Sequence, residues 1–447
     1  MTRPLDRLRS AAIALVVGAG TVALAQVQAH VQDEHLDAVL GELAADRAAF
    51  AASGGGTYDQ WIAMQRDALA KIDFGGLSMH QLARLYGEAL LDRPDGRRPA
   101  LDRLDALRPM VREHSAEGAA LAALEYGLRG APSPEHHPDT ELQSKLLGRA
   151  VRHAHLHEAM ARGLTPGFVN AIEQARDPEV LRAHRDAIAD LPRMVVASPP
   201  RMAVEVRSLW SLLGRLDLDA EQREAHRVML VDYLRRSAEA AGPDGGDAIA
   251  DDGERAFVRD TLAVLDGASA RGTLIGHEAP EMTIEWSSDD SIASLADLRG
   301  SVVVLDFWTT WCGPCLSSFP DVQALIDHYE GLPVRVMGVT SLQGRVYNLR
   351  SDGPIDCEDD PAAEHDLMPE FMAERNMTWP VVFTRQDVFN PDFGVRGIPH
   401  VAIIDGRGIV RYNGLHPAAP MAAKTEKIDG LLREMGVEPP AGDDPDG

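Results

Sequence analysis

The sequence predicts an all-helical array followed by an α/β domain, and three observations carry that prediction. From about residue 30 to 240 the chain is rich in Ala, Leu and Arg, with apolar residues three and four apart, as in Leu36, Val39, Leu40 and Leu43; this is the spacing of amphipathic helices. After Gly276 short continuous apolar runs replace that period: Val302-Val303-Val304-Leu305, Val334 to Val339, Val381 to Phe383 and Val401 to Ile404. Each has the length of a buried strand, with helical segments between some of them. Between the two regions, residues 241–252 hold Gly242, Pro243, Gly245, Gly246 and four aspartates, a composition that favours solvent over a core.

The first 25 residues read as a signal peptide or an N-terminal anchor. Arg3, Arg7 and Arg9 precede an apolar run from Ala11 to Ala25 that closes on Ala23-Leu24-Ala25, a small-x-small cleavage signal. The run is short of the roughly 20 residues that span a bilayer. The expected location is periplasmic or otherwise extracytoplasmic, either soluble after cleavage or held at the membrane by the leader. Residues 30–240 form the helical domain, with helices over Tyr58 to Ile72, Met79 to Leu91, Leu101 to Val111, Thr140 to Arg162, Pro178 to Leu191 and Ala220 to Ala240. Asp219 and Gln222 are spaced as a capping box for the last of these. Short loops between many helices imply antiparallel neighbours and an array suited to docking or oligomerisation, although no fixed repeat period is read. Residues 241–275 are a linker and a connecting helix, about Glu254 to Leu265. The α/β domain spans 276–437, and the Pro, Gly and Asp of 438–447 make a disordered tail.

Composition narrows the function. The 447 residues are 45% hydrophobic and 25% charged, enough for two or three cores and unlike a disordered polymer. A net charge of −25, of which −17 falls after residue 276, repels phosphate backbones, so no nucleic acid is expected as partner. Three cysteines are too few for a disulfide-stapled scaffold. Two of them stand two residues apart, which points to redox chemistry or a metal.

That pair is Cys312 and Cys315, in Trp311-Cys312-Gly313-Pro314-Cys315 directly after the strand Val302 to Phe307. A helix beginning within the motif turns its free N–H groups and dipole toward the first thiol and favours the thiolate. Cys312 is therefore the expected nucleophile. Cys315, in the first turn, is placed to attack the mixed disulfide and resolve it. A zinc site needs further ligands, and the chain has no second cysteine pair; no metal is assigned. Asp306, in an otherwise apolar run, loses hydration on ionising, which raises its pKa.

Val304-Leu305-Asp306-Phe307-Trp308, the Cys312 motif, Pro320 in the following helix and Gly397-Ile398-Pro399 before a late strand together resemble the thioredoxin-fold family. The leader, Leu298-Arg299-Gly300 and the 84 residues from Cys315 to Pro399 are similar to its exported TlpA/ResA-like branch, with an insertion around Leu342 to Glu364. The resemblance implies a central mixed sheet and a cis Ile398-Pro399 peptide facing the cysteines, with the backbone of Ile398 pairing to a substrate strand. It implies that Asp306 is the buried acid, which activates Cys315, and that Trp311, Gly313, Pro314, Ile398 and Pro399 contact the substrate. It further implies protein disulfide or dithiol substrates, no bound cofactor, a membrane electron donor of the DsbD/CcdA type, and cytochrome c biogenesis as the family-level setting. Gly313-Pro314 with Ile398 resembles the reducing thioredoxins, so a reductase or isomerase is favoured. Two departures stand out: Ser318 replaces a Glu frequent in that branch, and Val334 to Val339 lacks the buried lysine of other thioredoxins.

Other candidates carry less. Thr309 precedes Cys312 by three as in peroxiredoxins, but Leu305 stands where their Pro is expected. Cys357, among Asp356, Glu358, Asp359 and Asp360, reads as a passive loop thiol. His153 and His157 would share a helical face, with His136 and His137 nearby in sequence, and are read as surface or core residues rather than ligands. The competing functional class is a non-enzymatic helical scaffold carrying a vestigial redox domain.

Overall fold

A computed structural model of the chain describes residues 33–47, 49–50, 58–88, 90–91, 94–132, 136–239, 252–350 and 353–440. The expected leader at 1–25, residues 241–251 of the expected linker and residues 441–447 of the expected tail lie outside these. The described residues fall into two compact units that part between Val258 and Arg259.

The first unit is helical. Its helices are α1 over 33–47, α2 Tyr58–Ala70, α3 Met79–Gly87, α4 Pro94–Leu107, α5 Ala116–Glu125, α6 Thr140–Val151, α7 Leu156–Ala161, α8 Phe168–Glu173, α9 Pro178–Ala183, α10 Arg185–Ala189, α11 Leu191–Val196, α12 Val206–Leu213 and α13 Ala220–Glu239. The next helix, α14 Asp252–Asp266, contains the point of division. Side chains that cap N-termini fix several starts: Ser78 with Gln81 on α3, Ser115 on α5, Asp139 on α6. Asp219 and Gln222 form the reciprocal pair ahead of α13, with bonds of 2.8 and 3.3 Å.

The helices stack in two ladders. In one, α3, α5, α7, α11 and α13 pack in succession; in the other, α6 lies on α9 and α8 on α12. Polar bonds between successive rungs join residues 36 to 40 apart: Thr140 Oγ1 donates to Asp177, His184 Nε2 to the Ser144 carbonyl, and Ser208 and Ser211 donate to Asn170 and Glu173. Glu205 accepts from the N–H groups of Gly167 and Val169 at 2.7 and 2.9 Å.

Two expected helices are broken. Thr140 to Arg162 divides into α6 and α7, because His153 leaves the helix: its Nδ1 accepts from the His155 N–H and its Nε2 donates to the Glu113 carbonyl at 2.9 Å. His153 and His157 therefore share no helical face. Pro178 to Leu191 becomes α9, α10 and the start of α11. At the junction His184 has a non-helical backbone, and its ring packs on Gly148, where a Cβ would lie 2.7 Å from Cε1.

The second unit carries β1 Ile284–Ser287, β2 Val302–Phe307, α15 Gly313–His328, β3 Val334–Thr340, β4 Arg345–Val346, β5 Ile355–Asp356, α16 Pro361–Glu374, β6 Val381–Thr384, β7 His400–Ile404, β8 Val410–Leu415 and α17 Met421–Glu434. Six strands form one sheet in the order β1-β6-β3-β2-β7-β8. β2, β3 and β6 run parallel, while β1, β7 and β8 pair antiparallel, so the sheet is mixed. All six residues of β2 are buried, which is why this central strand reads as an apolar run interrupted only by Asp306. Val302, Val304 and Trp308 enter one core with Phe319 and Ile428; Val303, Leu305 and Phe307 enter the core on the opposite face with Phe393. This unit also begins earlier than the expected residue 276. The Ala268 and Ser269 N–H groups bond to Asp392, and Gly267 approaches the Pro391 carbonyl where a Cβ would sit 2.2 Å away.

Candidate active site

Chain direction and register place the site. β2 ends at Phe307, which pairs antiparallel with His400, the first residue of β7. The loop leaving β2 and the Ile398-Pro399 dipeptide entering β7 therefore emerge at the same end of the sheet. The Ile398-Pro399 peptide is cis, and both residues are half-buried.

Cys312 is the N-cap of α15, and its sulfur accepts the Cys315 N–H at 3.2 Å. Pro314, lacking an N–H, costs nothing in the first turn, where that donor has no partner within the helix. Cys312 and Cys315 are joined by a disulfide with Cα atoms 5.2 Å apart. Both are buried, Cys312 at 3% exposure and Cys315 at none. Trp311, Gly313 and Pro314 surround Cys312 and are exposed, Trp311 to 40%.

Asp306 alternates with Val304 and Trp308 and so faces the core that contains both cysteines and the buried side of α17. It is 1% exposed, and neither carboxyl oxygen has a hydrogen-bond partner. Burial pushes its pKa up to about 7, against a weaker opposing pull from Lys424. Lys424 lies one turn before Ile428 on the buried side of α17, is 7% exposed, and donates to the Pro417 carbonyl. Burial lowers its pKa, while Asp321 and Asp306 hold it up.

The remaining candidates lie apart from this chemistry. Cys357 lies in the loop between β5 and α16, as expected, and is buried in the same core as the pair. Its thiol is pushed up first by burial and then by Glu364, Asp356 and Asp360. His136 bonds to the Arg129 carbonyl and His155 to Glu158. Among the described residues no group of three or more His, Cys, Asp or Glu side chains has metal-binding geometry.

Residues 274–432 match the Redoxin family. The thiol-disulfide oxidoreductase ResA of Oceanobacillus iheyensis is 38% identical over 167 residues, covering 37% of this chain and 74% of that protein. The chain belongs to the ResA-like family of thiol-disulfide oxidoreductases. The thioredoxin-like protein YneN of Bacillus subtilis is 26% identical over 137 residues, 30% of this chain and 68% of its own. The thiol:disulfide interchange protein HelX of Rhodobacter capsulatus is 29% identical over 163 residues, 36% of this chain and 77% of its own.

In this ResA-like chain both departures seen in the sequence lie in buried surroundings. Asp306 pairs across the sheet with Gly338 of β3, so that position offers no cation, and a lysine is supplied from α17 instead. Ser318 is buried and donates to the Cys315 carbonyl at 2.7 Å. Elsewhere in this unit Glu364 of α16, 1% exposed, accepts the N–H groups of Gln343 and Gly344 at 2.9 to 3.0 Å. Neither Lys424 nor Glu364 was singled out from sequence. Lys424 stands four residues before Ile428, and that helical spacing from a core residue was the available signal.

Proposed function

We propose that this protein is an exported reductase or isomerase of protein disulfides. The Cys312 thiolate attacks a substrate disulfide, forming a Cys312–substrate bond and releasing one substrate thiolate, which takes a proton. The Cys315 thiol gives its proton to Asp306, directly or through water, and attacks the Cys312 sulfur. The Cys312–Cys315 disulfide forms, the second substrate thiol leaves, and two electrons have passed to the substrate. Trp311, Gly313, Pro314, Ile398 and Pro399 surround the incoming chain, and the Ile398 backbone pairs with it. The observation that carries this reading is Cys312 itself, a helix N-cap sulfur that receives an N–H and is the more accessible of the pair.

Gly313-Pro314 and Ile398 support reduction over oxidation. Thioredoxin-like pairs lie near about −270 mV and strong oxidants near about −120 mV, a separation of roughly 7 kcal/mol. Turnover then draws electrons from a membrane thiol carrier of the DsbD/CcdA type, and the leader at 1–25 supports a periplasmic or membrane-anchored location. Among the described residues no helix is long and apolar enough to cross a membrane. Cytochrome c maturation is one such setting. The helical unit is read as a docking or oligomerisation module, since stacked ladders present extended surfaces.

Reduction of insulin by the full chain tests the proposal. Wild type accelerates it and Cys312→Ser does not; equal rates with both proteins would contradict the reading, as would a glutathione equilibrium near the oxidising value.

A further inference from the structure

The segment Leu342 to Glu364, which the family resemblance marks as an insertion, is bonded to the two residues that precede Cys312. The Tyr347 N–H donates to Thr310 Oγ1 at 3.1 Å and Asn348 Nδ2 to the Thr310 carbonyl at 2.7 Å. Trp311 donates its indole Nε1–H to Gln343 Oε1 at 2.9 Å. Gln343 is itself held from both ends. Its side-chain amide donates to the carbonyl and hydroxyl oxygens of Ser341 at 3.0 and 3.1 Å, and its backbone N–H meets the buried Glu364 carboxylate. Burying a carboxylate for two backbone N–H groups is costly unless the conformation it enforces is needed.

What the bonds enforce is the placement of apolar surface. Among the described residues of the second unit, the exposed large hydrophobic side chains are Ile275, Trp311 and Leu342. Trp311 and Leu342 flank this network: the indole sits beside Cys312, and Leu342 precedes the residue that holds it. The Trp311 ring also lies 6.4 Å from that of Phe389, so a half-exposed indole with its N–H engaged offers a partner the remaining ring surface, as an amphipathic anchor does.

We propose that Gln343 is a positioning residue that fixes Trp311, with Leu342, as an apolar platform selecting protein disulfides flanked by apolar residues. This rests on Cys312 being the attacking sulfur. Glu364 sets Gln343, and the platform confers preference for an apolar peptide over a small or polar disulfide through binding rather than through the chemical step.

The test uses the full-length protein and two cystine peptides, one with Phe and one with Gly beside the disulfide. Wild type shows a lower KM for the Phe peptide. In Gln343→Ala that preference falls by about fivefold, the worth of one ordinary hydrogen bond, while kcat and the Cys312 thiolate titration stay unchanged. With tryptophan labelled by nitrogen-15, the Trp311 indole N–H resonance moves in the variant, reporting the loss of the bond whether or not any peptide is reduced. A wild-type KM preference in Gln343→Ala despite a moved indole resonance would overturn the proposal, as would a fall in kcat with a displaced thiolate titration. Failure of wild type to reduce either peptide would instead remove the reductase reading on which it rests.

Discussion

The backbone N–H of Cys315 points at the sulfur of Cys312, 3.2 Å away. Three residues of chain thus give the first cysteine a donor, a helix N-terminus and residual exposure, while closing the second off from solvent. On the proposed mechanism the two sulfurs differ in role because they differ in place. In Cys315→Ala, reduced protein mixed with a disulfide-bonded protein should accumulate a covalent adduct through Cys312, seen as a mass increase that dithiothreitol reverses. Cys312→Ala should give none.

Asp306 has two measurable consequences. In the proposed mechanism it is the base for Cys315, so Asp306→Asn should slow resolution about 100-fold near neutral pH and flatten the pH profile; superimposable profiles would remove it from the mechanism. Stability should move the other way. The carboxyl titrates at about 7 in the folded protein, against roughly 3.9 when unfolded. The stabilisation linked to its proton is therefore complete below about pH 4 and lost as pH rises through about 7. At pH 8, denaturant melts should find Asp306→Asn more stable than wild type by roughly 2–4 kcal/mol, and at pH 4 about equal.

Lys424 opposes the burial of Asp306, so removing its charge should raise the carboxyl further. Lys424→Met preserves most of the volume but leaves the Asp306 carboxylate buried without that opposing charge, so stability should fall at pH 8 and change less at pH 4, where Asp306 is protonated. Resolution should become roughly two- to fivefold slower at pH 7, its pH profile displaced upward. A profile displaced downward would show that the lysine acts otherwise.

In the helical unit Glu205 joins two rungs by accepting the N–H groups of Gly167 and Val169. Glu205→Ala leaves both donors without that acceptor and should cost about 2–4 kcal/mol, measured by circular dichroism of the full chain. Burial also raises this carboxyl to about 7. Its proton-linked stabilisation is present below the unfolded value of roughly 4.3 and lost through about 7. The wild-type helical melt should therefore come at lower denaturant at pH 8 than at pH 5, and the difference should shrink in Glu205→Ala.

The legible parts of this chain were those whose determinants are local. β2 and β3 announce themselves because strands largely buried on both faces are apolar at most positions, and the Cys312 motif because its spacing is its chemistry. The edge strands β1 and β8 escaped notice: half-exposed, they mix Glu285, Arg411 and Asn413 with apolar residues. The breaks at His153 and His184 were hidden because Ala, Leu and Arg favour helix on both sides, while the interrupting bonds reach Glu113 and Ser144 about 40 residues away. Lys424, Gln343 and Glu364 are single polar residues in ordinary surroundings, and only the fold brings them to the motif.

Ionisation of the reduced pair, followed by thiolate absorbance and alkylation rate, tests the central claim most directly. Cys312 should titrate below about 7.5 and react first, with Cys315 protected until the protein unfolds. Two thiols that titrate at or above about 8.5, react equally slowly and fail to bridge under a mild oxidant would contradict the account.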